Sequence, residues 1–285
     1  MSDKHEHHDH HHHEHGHGPH GQAHHHHHHH KSPGQAGARL LVIRPNSGIS
    51  GDILVAGLAA LAGLDQAGLD QLLDDLRLPQ LKGRVTLVDK EVNQVGGVAL
   101  AVDLPPEHEH RNLGDIEEFL AAGDLSPRAR ELAVKCFSLL AQAEGAVHGR
   151  PPEEVHFHEV GALDSIMDIG LAAALLDRLN PERVVCGPLP VCDGTINCQH
   201  GLLPSPAPAV MRLLEGVPVI GLDSRGETVT PTGLALLLAF EAEFGPWPPV
   251  VPEKQALAYG TRLLPGVPNG AVFVIGRQHG QGGGL

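Results

Sequence analysis

Positive charge, aromatic rings and long apolar runs are all scarce in this sequence, and each shortage excludes a class of function. Its 285 residues hold 20 Lys and Arg against 34 Asp and Glu, a formal net charge of −14 with histidine neutral. Non-specific nucleic-acid binding therefore starts at an electrostatic disadvantage, and no nucleic-acid partner is expected. The longest apolar run, GLALLLAF at 233–240, falls far short of the roughly 18 consecutive residues that a membrane span needs. The N-terminus is polar throughout, without the apolar core of a secretory signal, so a cytoplasmic protein without a membrane partner is expected. One Trp, one Tyr and six Phe leave the core to aliphatic side chains. Four cysteines, Cys136, Cys186, Cys192 and Cys198, contain no CxxC zinc spacing. They read as buried or free thiols, or as a soft metal site in which Cys192 or Cys198 joins His200; disulfides are least expected in the cytosol.

What is abundant is histidine, and it is concentrated. Seventeen of the 24 histidines lie in the first thirty residues. Residues 1–38 are His, Gly and acidic residues with almost no aliphatic side chain, so they cannot bury a core and are expected to be a disordered tail. Imidazole ligates Ni(II), Zn(II) and Cu(II), and many imidazoles on a flexible segment, His5, His10, His24 and His30 among them, make interchangeable weak sites. Metal capture is the favoured reading over an expression tag or a pH-sensitive solubility tail, because Asp, Glu and Gly interrupt the histidines and no protease site follows. Residues 39–277 carry the aliphatic material of a folded region, and residues 278–285 form a Gly-rich end expected to be disordered.

Within the folded region, RLLVIRP (39–45) reads as a buried strand, NSGISGD (46–52) as a turn, and the following residues as a helix with Asp52 at its N-cap. Further helices are expected at 65–76, 113–122, 126–147 and 162–179, with Ser126-Pro127 as cap and first-turn proline. A short one falls within 205–216, and another opens at Pro231 and runs to about 244. Strands are expected at 84–92 and 97–104, separated by Gly96-Gly97, at RVVCGPLPV (183–191), at VPVIGLD (217–223) and at 271–277. Helices and strands interleave irregularly, which predicts an α/β or α+β fold with a mixed sheet.

Three motifs carry candidate chemistry. NSGISGD follows a strand and opens a helix, so it is either a tight structural turn or an anion site; in the second case Gly48 and Gly51 let the backbone approach while Ser47 and Ser50 add hydroxyls. ETVTPTG (227–233) places Thr230 and Thr232 before a helix, a second candidate anion site. The third motif is VHFHEVGALDSIMDIG (155–170). If VHFHEV is extended, His156 and His158 project to one side about 6–7 Å apart, with Glu159 on the other. If a helix begins near Ala162, Asp164 and Asp168 share a face at its positive end. A mixed N/O metal site, a proton-transferring carboxylate pair, or a helix cap with a solvated acidic face would each satisfy this pattern.

Taken in order, SGISGD, HRNLGDIEE, VHFHEVGALDSIMDI, HGLLPSPAPAV and TPTG resemble the LarC family of nickel-pincer cofactor nickel insertases, from about Leu40 to Arg277. The resemblance implies CTP-dependent cyclometallation of pyridinium-3,5-bisthiocarboxylic acid mononucleotide with nickel, aided by Mg or Mn, for lactate racemase-type enzymes. Such a reaction needs a base, for which His158, Glu159, Asp164 or Asp168 could serve, and an anion seat, for which Ser47, Gly48, Ser50, Gly51, Thr230 and Thr232 are the candidates. Nickel falls to His156, His158, Asp164, His200 and the tail. The sequence is similar to the N-terminal part of the family, which implies a partnership with the C-terminal portion or a separate chain carrying it; a homo-oligomer is also compatible. Asn112 stands where the family often has His, and AYGTR (258–262) where it has a GYGAG-type segment. A nickel store or metallochaperone without catalysis is the competing reading, and a metal-dependent hydrolase a third.

Overall fold

The computed structural model divides into two units, residues 1–35 and 36–285. The structure describes residues 37–104, 111–157, 161–198 and 201–280. The expected disordered tail and end therefore lie almost wholly outside the described residues. In chain order come β1 (Arg39–Pro45), α1 (Gly51–Ala62), α2 (Gln66–Asp75), β2 (Val85–Val92), β3 (Val95–Val102), β4 (Arg111–Asn112), α3 (Leu113–Ala122), α4 (Pro127–His148) and β5 (His156–Phe157). Then follow α5 (Leu163–Leu179), β6 (Arg183–Cys186), β7 (Leu189–Val191), β8 (Thr195–Cys198), β9 (Gly201–Pro204), α6 (Pro208–Leu213), β10 (Val219–Gly221), α7 (Pro231–Ala239), β11 (Glu243–Phe244), β12 (Val250–Ala258) and β13 (Ala271–Gln278).

Seven strands form one mixed sheet in the order β11-β6-β1-β13-β12-β3-β2. β1 runs parallel to β6 and antiparallel to β13, so the α/β expectation of a mixed sheet holds. Alternate residues of β1 serve two cores. Leu41 and Ile43 join the main cluster with α1, α4 and α5, while Leu40 and Val42 join Val274 in a small one. The core is aliphatic as expected; three phenylalanines, Phe137, Phe157 and Phe273, are its largest wholly buried side chains. α1 lies close over the sheet because Gly57 has no Cβ, which would stand 2.3 Å from the Phe273 ring. No helix among the described residues is long and apolar enough to cross a membrane.

Several local expectations are corrected. The residue capping α1 is Ser50 (φ −144°, ψ 171°), two residues earlier than expected, and Asp52 sits in the first helical turn, where its charge suits the helix dipole. The β2–β3 hairpin turns at Asn93-Gln94, both at positive φ, and Gly96 and Gly97 lie inside β3. Gly97 is needed there, since its Cβ would stand 2.5 Å from the Leu257 carbonyl oxygen. The helix from Pro231 stops at Ala239 rather than near 244; Glu241 is left-handed (φ 56°), and Glu243–Phe244 pair with β6. RVVCGPLPV is two strands, β6 and β7, broken at Gly187-Pro188. β12 had no expectation at all, because its VVPEKQALA is mostly solvent-exposed and so shows no buried period.

Candidate functional site

β1 ends at Pro45, and the NSGIS turn at its carboxyl end is held by the second motif. The Ile49 amide donates to the Thr228 carbonyl oxygen at 2.8 Å, and the Thr230 amide donates to the Ile49 carbonyl oxygen at 3.1 Å. Gly48 makes this docking possible: it sits at φ 132°, and its Cβ would stand 1.9 Å from the Thr228 oxygen. Thr230 caps α7 by accepting the Gly233 amide at 3.1 Å. Gly233 lies so close to Ile49 and Ser50 that its Cβ would be 2.7 Å from either, which brings the N-termini of α1 and α7 together. Two positive helix ends thus converge where the sequence suggested two separate anion sites.

They border a cavity of about 270 Å³ whose lining includes Ser47, Ser50, Asp52, Thr228, Thr230 and Arg262. Arg262 is the one cationic side chain among its lining residues. Its Nη2 donates to the Arg225 carbonyl oxygen at 2.7 Å. The guanidinium lies on the Gly226 backbone (φ 94°), where any Cβ would be 2.5 Å from Nη2. Asp52 shares the cavity wall; Ser50 Oγ donates to its Oδ1, and Thr261 Oγ1 to its Oδ2 at 3.4 Å. The guanidinium, two helix N-termini and a group of hydroxyls suit an anion, with two carboxylates, Asp52 and Glu227, in the same lining.

Behind this wall stands Asp168, in the second turn of α5. Gly51 leaves it room: a Cβ there would be 2.4 Å from Asp168 Oδ2. Asp168 Oδ1 is enclosed and has no hydrogen-bond partner. Burial above all, then the charges of Asp52 and Asp164, push its carboxyl well above the ordinary carboxylate range. Asp164 is exposed in the first turn of α5, where its Oδ1 accepts the Ser165 amide at 2.7 Å. The turn motif and the aspartates of the central motif therefore meet at the α1–α5 contact.

The first half of the central motif is placed differently. β5 pairs with β4, matching His156 to Asn112 and Phe157 to Arg111. Phe157 is buried against Phe137 in an edge-on contact with ring centroids 6.2 Å apart, and His156 is exposed. Arg111 Nη1 donates to the Gly161 carbonyl oxygen at 2.8 Å, and Asn112 closes a reciprocal capping box with Asp115. Arg111 and Asn112 thus brace the central motif. His156 borders a separate cavity of about 200 Å³ with His148 and Arg150, and neither it, Gly51 nor Thr232 lines the Arg262 cavity. His158, Glu159, His200 and the tail histidines His5, His10, His24 and His30 lie outside the described residues. Cys136, Cys186, Cys192 and Cys198 are free thiols; burial pushes Cys186 up to about 12, and Cys192 Sγ donates to the Gly226 carbonyl oxygen at 2.8 Å. Among the described residues no group of three or more His, Cys, Asp or Glu side chains is arranged to hold a metal ion.

Arg262, Asp52 and Glu227 are the functional candidates that sequence reasoning missed. All three lie within segments that were noticed, AYGTR, NSGISGD and ETVTPTG, but only the fold shows that a residue 210 positions from Asp52 shares its cavity.

Fold and site together define an α/β protein with a cavity at a strand's carboxyl end, walled by two helix N-termini and a guanidinium, and behind it a half-buried carboxyl raised above its ordinary range. A family model described as nickel insertion protein matches residues 41–282, and the chain belongs to that family. It is 39% identical over 232 residues to the pyridinium-3,5-bisthiocarboxylic acid mononucleotide nickel insertion protein of Desulfitobacterium hafniense (strain DSM 10664 / DCB-2), covering 81% of this chain and 56% of that one. A protein of Syntrophotalea carbinolica, provisionally named a nickel insertion protein, is 41% identical over 230 residues, covering 81% and 57%. The chain thus spans under three-fifths of the length of these relatives. No solved structure matches it.

Proposed function

We propose that this chain binds a pyridinium mononucleotide by its phosphate and inserts nickel into its ring, within the CTP-dependent synthesis of the nickel-pincer cofactor. The observation that supports it most is the Arg262 cavity, formed where NSGIS and TVTP dock, with Asp52 on its wall and Asp168 behind. Arg262 and the two helix N-termini hold the phosphate. Nickel enters as a substrate. A ring C–H bond breaks, its electron pair forms the carbon–nickel bond, and its proton passes to the carboxyls of Asp52 and Asp168. Burial raises the Asp168 carboxyl, so its carboxylate is a stronger base than an isolated surface carboxylate.

The described residues present no preformed seat for Mg or Mn. In this proposal CTP and its divalent ion belong with the further portion that the relatives carry, joined in one chain or supplied separately, and the whole acts as a lyase-class cyclometallase. A nickel store or metallochaperone has no use for a guanidinium cradle, and the cavity therefore favours insertion over storage.

The test is nickel incorporation into purified precursor, followed by mass spectrometry, with and without CTP and the C-terminal portion. Arg262→Gln is expected to raise KM about 10–100-fold with little change in kcat, the signature of lost uniform binding through a charged hydrogen bond. An unchanged KM removes the phosphate from this cavity. The tail gives an independent expectation. Deleting residues 1–35 removes all seventeen N-terminal imidazoles, so the calorimetric nickel stoichiometry should fall steeply while the far-UV dichroism of the folded unit is retained. An undiminished stoichiometry would place the bulk of the nickel elsewhere.

A further inference from the structure

The cradle under Arg262 is itself held from a third part of the chain. Arg262 is exposed on the loop between β12 and β13. Its Nη2 donates to the Arg225 carbonyl oxygen at 2.7 Å, and its guanidinium lies against the Gly226 backbone. Arg225 is exposed as well, whereas Gly226 is buried, so the cradle depends on what fixes Gly226. The Gly226 carbonyl oxygen accepts two side-chain donors, Cys192 Sγ at 2.8 Å and Ser205 Oγ at 2.9 Å. The Gly226 amide donates to the Asp193 carbonyl oxygen at 3.1 Å. The Ser205 amide donates to the Gly194 carbonyl oxygen at 3.0 Å, which ties the two clamping segments to each other. Burial raises the Cys192 thiol against the opposite pull of Thr228 and Arg262, so at neutral pH it keeps its proton and remains a donor. Neither Cys192 nor Ser205 lines the Arg262 cavity.

We propose that Cys192 and Ser205 are positioning residues for Arg262: by fixing the Gly226 carbonyl they hold the surface on which the guanidinium is laid. For its effect on binding, this rests on the reading of Arg262 as the phosphate ligand. Gly226 is the residue least able to hold its own conformation. It sits at φ 94°, and without a Cβ many other backbone states are open to it. A carbonyl oxygen has two lone pairs, so both side-chain donors can be satisfied at once, and together they select one of those states. The consequence reaches the anion through Arg262. An arginine has a long stem with many rotamers, and an anion that meets a wandering guanidinium must order it on binding. A guanidinium already laid on a fixed peptide needs little further ordering, so affinity depends on two side chains that never face the ligand.

Nuclear magnetic relaxation of Arg262 Nε, measured in the full chain without ligand, reads the positioning directly, and Arg262→Gln identifies the signal. The order parameter is expected to lie above the roughly 0.6 that marks a flexible group, and to fall below it in Cys192→Ala/Ser205→Ala. Calorimetric titration with nicotinamide mononucleotide reads the consequence. The double variant should bind about 3–10-fold more weakly, the size of a lost hydrogen bond. In an Arg262→Gln background the same two substitutions should change the affinity no further, because the group they position is gone. With Ser205→Ala in place, Cys192→Ser should bind more tightly than Cys192→Ala, since only the serine keeps a donor. Where the double variant does not fold, Cys192→Ala and Ser205→Ala are compared singly in the same way. An order parameter already low in the parent, one that does not fall in the variants, or an equal loss of affinity in both backgrounds overturns the positioning role. If Arg262→Gln leaves the affinity unchanged, or the parent does not bind at millimolar concentration, the phosphate reading fails, and the relaxation measurement still decides whether Cys192 and Ser205 hold Arg262.

Discussion

Replacing Asp168 with Asn is expected to give a protein that melts higher than the parent at neutral pH and no longer inserts nickel at a useful rate. The two effects have one cause. Burial, reinforced by Asp52 and Asp164, holds the Asp168 carboxyl well above its ordinary range, and its Oδ1 has no hydrogen-bond partner. A carboxyl raised in the folded state binds its proton more tightly there than in the unfolded chain. Below the unfolded value of about 3.9 both states are protonated and nothing is lost. As pH rises from that value towards the folded one, the unfolded chain ionises freely and the folded one does not, so the parent loses stability across this window and stays at the lower level above it. Asn has nearly the same shape and no proton to lose, so the variant escapes that fall. The gap in Tm should open from acid to neutral pH, by about 2–4 °C for each kcal/mol recovered in a domain of this size. The same substitution removes half of the proton-accepting pair, a loss of about 10²–10⁴-fold in rate. Melting curves of parent and variant that run parallel from pH 4 to pH 8 would show an ordinary, hydrated carboxylate. An undiminished insertion rate would remove Asp168 from the chemistry.

The sequence shows the strand–turn–helix of residues 39–62 clearly, because each local signal agrees with the next: a buried strand, a Gly/Ser turn, then an aliphatic helix. It also shows the aspartates of α5, since i, i+4 spacing needs only a helix to place them on one face. What it hides is whatever depends on contact between distant segments. That NSGIS and TVTP form one site rests on two hydrogen bonds between residues about 180 positions apart. Arg262 carries no local mark at all; its role comes from a cradle built by Arg225 and Gly226 on another loop. β12 is invisible for the opposite reason, since an exposed strand with Pro252, Glu253 and Lys254 lacks the alternation that burial imposes. Where two short signals competed, as at Asn93-Gln94 and Gly96-Gly97, the glycines drew the turn assignment although the chain needs Gly97 for the close approach of Leu257 and Tyr259.

Gly48→Ala is expected to be the most damaging single methyl group in the turn. At φ 132° an L-residue is strained, and the new Cβ would stand 1.9 Å from the Thr228 carbonyl oxygen, which is backbone and cannot swing aside. The strain amounts to about 1–3 kcal/mol, and separating the two turns loses a hydrogen bond of about 1 kcal/mol. The sum of about 2–4 kcal/mol is a large share of the 5–15 kcal/mol that holds a typical domain, and corresponds to roughly 4–16 °C in Tm. Binding should suffer more than stability. The Ile49–Thr228 and Thr230–Ile49 hydrogen bonds set the α1 and α7 N-termini side by side, and a shift of either scatters the donors that face the anion. Two companions separate these causes. Gly216 is also left-handed, at φ 80°, but a Cβ there meets nothing within 4 Å, so Gly216→Ala reports the backbone strain alone. Ser47→Ala removes the hydroxyl that accepts the Gly270 amide at 3.1 Å and leaves the turn's docking untouched. Titrations of nicotinamide mononucleotide, run beside thermal melts of all three variants, should find affinity reduced more than tenfold by Gly48→Ala, a smaller loss with Ser47→Ala, and none with Gly216→Ala. If Gly48→Ala costs no more stability than Gly216→Ala and binds like the parent, the two turns do not meet as the structure has them.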